Sequence, residues 1–170
     1  MPEKGSEFYL DLPLKEQAEL LRALAPIMGR RSEILEKDIW LCEVLDALFR
    51  LPCRKPMAFK GGTSLSKVYR AIDRFSEDID VTIDYRSLND EMTDLSSITN
   101  NSQRSKFSEA LKHALSIHVL EELVPALKAA LKARLPDASL NIEVIQDAEK
   151  FGFTTPQPSR ILTSIFARAS

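Results

Sequence analysis

From Asp78 to Asp84 the chain alternates strictly: Ile79, Val81 and Ile83 are separated by Asp80 and Thr82 and flanked by two more acids. A period of two over seven residues is the pattern of a half-buried β-strand and is incompatible with one face of a helix. The three β-branched residues belong to a core, and the acids belong to the opposite face. The chain must therefore contain a sheet, and its remaining segments have to pair with that strand or cover it.

Leu14, Ala18, Leu21 and Leu24 recur at helical spacing until Pro26 and Gly29, which are expected to break the run. A second helix is expected to start with Ser32 as its cap, to carry Leu35, Ile39, Cys42, Leu45 and Leu48 on one face, and to end at Pro52. Met57-Ala58-Phe59 reads as a short buried strand stopped by Gly61-Gly62, and the stretch from Leu65 to Ile72 has helical spacing. Residues 85–102 are polar and read as an irregular loop. Phe107, Leu111, Leu115, Leu120, Leu123, Leu127 and Leu131 then form a long apolar stripe, with Pro125 expected to kink or split the helix. Leu140 to Ile145 alternates as a strand, whereas the tail from Phe151 receives no assignment. The expected fold is α/β (α+β). One mixed sheet, with strands near 57–60, 78–84 and 139–146, is packed against helices within 13–50 and 104–134.

With 170 residues, 44% of them apolar, the chain can bury one core, and residues 1–170 are expected to form one domain. A net charge of −2 excludes a generally basic protein that coats nucleic acid, and leaves room for a local basic patch. Two cysteines, Cys42 and Cys53, argue against a disulfide scaffold and for a reducing, cytoplasmic setting. The start, MPEKGSEFYLDLP, has no apolar run of signal-peptide length, and no stretch of 18 uncharged apolar residues exists to span a membrane.

Chemistry concentrates between residues 54 and 94. Segment 54–74 holds six basic residues (Arg54, Lys55, Lys60, Lys67, Arg70, Arg74) against one acid, and segment 76–94 holds seven acids against Arg86. Between them lies a strand–Gly-Gly–helix turn with Thr63-Ser64 at the helix start. Such a turn exposes free backbone N–H groups, and glycine lets an anion approach them. Asp78 and Asp80 lie on one face of their strand, roughly 6–7 Å apart. Two carboxylates so placed repel unless a cation joins them. Mg²⁺ favours one or two carboxylates plus substrate phosphates, so turn and strand together suit a metal–nucleotide site. Each piece also has a plainer use: the Gly-Gly as an ordinary turn, the acids as a solvent-washed sheet face, the basic block as a solvated helix surface.

The wording of the two segments narrows the choice. Phe59-Lys60-Gly61-Gly62-Thr63-Ser64-Leu65-Ser66-Lys67, followed by Asp73-Arg74-Phe75-Ser76-Glu77-Asp78-Ile79-Asp80-Val81, resembles the AbiEii/AbiGii toxin family of the DNA polymerase β-like nucleotidyltransferase superfamily. Glu36-Lys37-Asp38-Ile39-Trp40 also looks like that family's N-terminal region, so the resemblance covers roughly residues 33–84. It implies that Lys60, Gly61, Gly62, Thr63 and Ser64 hold an incoming triphosphate. It further implies that Asp78 and Asp80 bind Mg²⁺ or Mn²⁺, and that Arg74 and Ser76 line the nucleotide side. The partners it implies are an NTP, an RNA acceptor such as tRNA, and a cognate antitoxin, with no membrane involved.

The superfamily also uses a third carboxylate on a later strand, and the family a lysine-bearing helical region after it. Neither is recognisable here, and the chain is expected to be a shortened or partial copy. Glu143, on the 140–145 strand, is the candidate for the third acid. Two alternatives follow: an inactive nucleotidyltransferase-like module that binds nucleotide or a partner, or an enzyme of the same chemistry acting on a small molecule. Other polar and reactive side chains carry less. His113 and His118 are spaced by five, unsuited to joint metal ligation on a helix. Cys42 and Trp40 read as packing, and Lys128 and Lys132 as a solvated face.

Overall fold

The computed structural model describes residues 8–72, 78–88, 98–135, 141–144, 150–154 and 162–169. Helix α1 (Leu14–Met28) runs through Pro26 and ends at Gly29, whose φ of 61° lets its N–H cap the Ala25 carbonyl. Pro26 does not break the helix. It lies on the exposed side, where water can take the Arg22 carbonyl that the missing N–H leaves free. Helix α2 (Ser32–Arg50) has Ser32 as its first helical residue, without a side-chain cap bond. Its buried stripe includes Leu41, Val44 and Leu48, so it is turned by about a residue from the expected face, and Cys42 is exposed. Trp40 is buried beside this stripe.

Strand β1 (Met57–Lys60) passes directly into α3 (Gly61–Lys67), followed by β2 (Ile79–Ile83). The helix expected over 65–72 therefore starts earlier and ends sooner. Arg70 takes a left-handed φ of 50°, which a continuing helix does not allow. Helix α4 (Asn101–Ile117) begins inside the stretch read as loop, because Asn100 and Gln103 form a reciprocal capping box. It continues through one π-helical turn (His118–Leu123) into α5 (Val124–Arg134). The wide turn sits just before Pro125 and accommodates the ring that a regular α-turn would drive into the Glu121 carbonyl.

Strands β3 (Asn141–Val144), β4 (Lys150–Thr154) and β5 (Leu162–Ala169) complete one five-stranded mixed sheet in the order β1-β2-β5-β4-β3. The unassigned tail thus supplies two strands, and β5 pairs parallel with β2 while the other three pairings are antiparallel. Ile79, Val81 and Ile83 are at most 1% exposed and meet Leu41, Val44 and Leu48 of α2 and Leu115, Val119, Leu123, Leu127 and Leu131 of α4–α5. Each such leucine contributes about 1.5–3 kcal/mol by leaving water. The apolar half of the alternation is spent on that core, and the acidic half is left on the other face.

Candidate active site

Asp80 is held by ladder pairing on both sides, opposite Lys60 of β1 and Phe166 of β5. Its carboxylate lies against Gly61. That glycine has φ 75°, and a Cβ there would come within 3.0 Å of the Asp80 Cγ and overlap the carboxylate. The turn needs glycine twice over, for the backbone conformation and for the space. Asp78 stands one residue before β2, is exposed, and accepts a 2.5 Å hydrogen bond on its backbone carbonyl from Thr63 Oγ1. The Gly-Gly turn and the Asp-x-Asp strand are therefore in contact.

Neither carboxylate, Asp78 or Asp80, has a hydrogen bond or ion pair among the described residues. Asp84, the third acid of the alternation, is different. Arg86 grips its two oxygens at 2.9 and 2.8 Å, and its Oδ1 also accepts from the Arg86 N–H. That guanidinium holds the Asp84 carboxyl below its ordinary value. Asp84 is a turn residue, whereas Asp78 and Asp80 have no side-chain partner among the described residues.

Around the pair, Lys60 is exposed, Gly62 half-buried, and Thr63 and Ser64 buried. Half of the basic block has structural work: Lys55 donates to the Ser87 carbonyl, Arg54 lies over the Phe49 ring, and Lys67 pairs with Asp38. Arg74 and Ser76 lie outside the described residues. Glu143 does not come to the pair. Register aligns it with Gly152 and then Ser164 on the way to β2, three inter-strand steps from the Asp78 position. At about 4.8 Å a step this is about 14 Å, too far to share a cation. Its strand had the right alternation, but strand order is invisible in local sequence.

Two carboxylates beside a glycine turn fit a hard divalent cation that completes its shell with phosphate oxygens and water. No group of three or more His, Cys, Asp or Glu among the described residues forms a fuller metal cage. The His pair is likewise no ligand set: His118 is buried in the π-turn with Nδ1 3.2 Å from Glu122, and His113 is exposed.

A mixed sheet with helices on its apolar face, and an Asp-x-Asp strand laid against a Gly-Gly turn, is a nucleotidyltransferase-like fold. The chain belongs to the AbiEii family, the nucleotidyl transferase toxins of type IV toxin–antitoxin systems, whose family model matches residues 43–169. The match reaches well past residue 84, through α4, α5 and all three later strands. Searches among curated proteins and solved structures found no match. Membership makes the protein a toxin-type nucleotidyltransferase with an NTP substrate and an antitoxin counterpart. No helix among the described residues is long and apolar enough to cross a membrane.

Proposed function

We propose that this protein transfers a nucleotidyl group from an NTP to a hydroxyl of RNA, with tRNA as the acceptor to test first, and that it does so in the cytoplasm. The observation that carries this reading is the Asp78/Asp80 pair, without a side-chain partner among the described residues, with Asp80 packed on Gly61. Asp78 and Asp80 would hold Mg²⁺ or Mn²⁺, which when bound supplies the charge neutralisation a triphosphate needs. The Gly61-Gly62 backbone leaves room for phosphate oxygens, and the exposed Lys60 ammonium at the same turn offsets their charge. By their place in the family motif, Ser64 would help hold the triphosphate, and Arg74 and Ser76 would line the nucleotide side. The acceptor hydroxyl oxygen bonds to the α-phosphorus and gives up its proton to water, the bond from that phosphorus to the α–β bridging oxygen breaks, and pyrophosphate leaves.

The alternative is a module within residues 1–170 that holds nucleotide with little turnover. One observation favours it: the β5 positions beside Asp78 and Asp80 are Ser164 and Phe166, so that strand brings no third carboxylate alongside. Radiolabelled NTPs incubated with total tRNA and divalent cation decide between the readings. Transfer by the wild type and none by Asp80→Asn supports the enzyme. Calorimetric binding of Mg²⁺–NTP without label in tRNA supports the module.

A further inference from the structure

The family motif counts Thr63 among the triphosphate ligands, but its hydrogen bond is already spent. The side chain is 2% exposed, and its one hydroxyl proton is directed at the Asp78 carbonyl at 2.5 Å. A hydroxyl donates once; its remaining lone pairs offer nothing to an anionic phosphate oxygen. The recipient matters as much. Asp80 is fixed by strand pairing on both sides, whereas Asp78 stands two residues outside the β1–β2 ladder, which closes at Lys60 and Asp80, and one residue outside the β2–β5 ladder, which starts at Ile79. Within the described residues the Thr63 hydroxyl is what fastens the Asp78 backbone to the turn.

We infer that Thr63 is a positioning residue: it sets where Asp78 presents its carboxylate beside Asp80, and does not bind the triphosphate itself. This rests on the reading of Asp78 and Asp80 as the cation-holding pair. Removing the hydroxyl frees the Asp78 backbone while the ladder keeps Asp80 in place. The pair then grips a cation less firmly, and the turn's own capacity for phosphate is unchanged.

The test compares the full chain with Thr63→Val, Thr63→Ala, Thr63→Ser and Asp80→Asn. Mn²⁺ binding is followed by the spin-resonance signal of the free ion, and inorganic triphosphate binding by calorimetry in chelator. Thermal melts identify variants that fold. Losing one hydrogen bond corresponds to roughly a two- to tenfold change in an equilibrium. Thr63→Val is expected to weaken Mn²⁺ by about that factor, to leave metal-free triphosphate affinity within about twofold, and Thr63→Ser to restore Mn²⁺ binding. If the valine variant does not fold, the alanine variant carries the same expectation, and the serine variant must match the wild type. Wild-type Mn²⁺ affinity in a folded Thr63→Val or Thr63→Ala overturns the inference, as does a loss confined to triphosphate. Unchanged Mn²⁺ binding in Asp80→Asn removes the metal-site reading itself, and the inference with it.

Discussion

Lys67, the last residue of α3, is ion-paired with Asp38 in the middle of α2. The pair joins two of the segments that carry the family resemblance, Glu36–Trp40 and Gly61–Lys67. It anchors the far end of α3 while Thr63 anchors the near end. Both side chains are about a third exposed (28% and 36%), so water screens the pair. A double-mutant cycle with Lys67→Met and Asp38→Asn is expected to give a coupling of about 0.2–1 kcal/mol that shrinks with salt. Lys67→Met should change NTP affinity by less than about threefold. A tenfold loss would mean that Lys67 leaves Asp38 to bind phosphate.

Gly61 and Gly29 both have left-handed backbone, and only one of them has a neighbour. A Cβ at Gly29 meets nothing within 4 Å, whereas at Gly61 it overlaps the Asp80 carboxylate. Gly29→Ala is expected to cost about 1–2 kcal/mol in urea melts, with Mn²⁺ affinity unchanged. Gly61→Ala should cost more and also displace Asp80, weakening Mn²⁺. Equal effects of the two substitutions would show that Gly61 serves the turn alone.

Asp80 and Asp84 sit at the same phase of the alternation with different employment. Asp84→Asn breaks the fork with Arg86 and should leave Mn²⁺–NTP affinity within about twofold, because that carboxylate is not free to hold a cation. Asp80→Asn should lower it at least about tenfold, the loss of one of two charged ligands. The comparison is made by calorimetry, and a larger effect at Asp84 would relocate the site.

His118 is 2% exposed, and its Nε2 has no partner among the described residues. Burial pushes its pKa below the ordinary 6.5, against the pull of Glu122 and with the push of Lys55. The unfolded chain then binds the proton more readily than the folded one, so stability is full above about pH 6.5 and falls as pH drops from there through the lowered folded-state value. Urea melts between pH 7.5 and 5 should show this slope, and His118→Asn, though less stable at pH 7.5, should flatten it. An unchanged slope in the variant would assign the pH dependence to other groups.

Short-range patterns were legible. The period of two over 78–84 announced β2, and the leucine spacing announced α1, α2 and α4–α5. The wording around Gly61 and Asp80 pointed to two segments that do touch. Three kinds of information were hidden. Strand order is a long-range property, so nothing local revealed that β5 separates β2 from β4 and strands Glu143 at the far edge. Gly152, Pro156 and Pro158 blur the alternation of the tail and concealed β4 and β5. The Thr63–Asp78 bond spans fifteen residues and depends on how α3 meets β2. The Asn100/Gln103 capping box is a local signal, present in the sequence within the polar stretch 85–102.

The parallel partner of β2 arrives about 80 residues after it in the chain. On a ribosome adding roughly 5–20 residues per second, β2 waits several seconds with one hydrogen-bonding edge uncovered. Until β5 emerges, Asp80 has only half of its ladder, and the core under Ile79 and Val81 lacks its central strand. Asp80, to which the proposed function gives a share of the cation, therefore reaches its final setting only after β5 has been made.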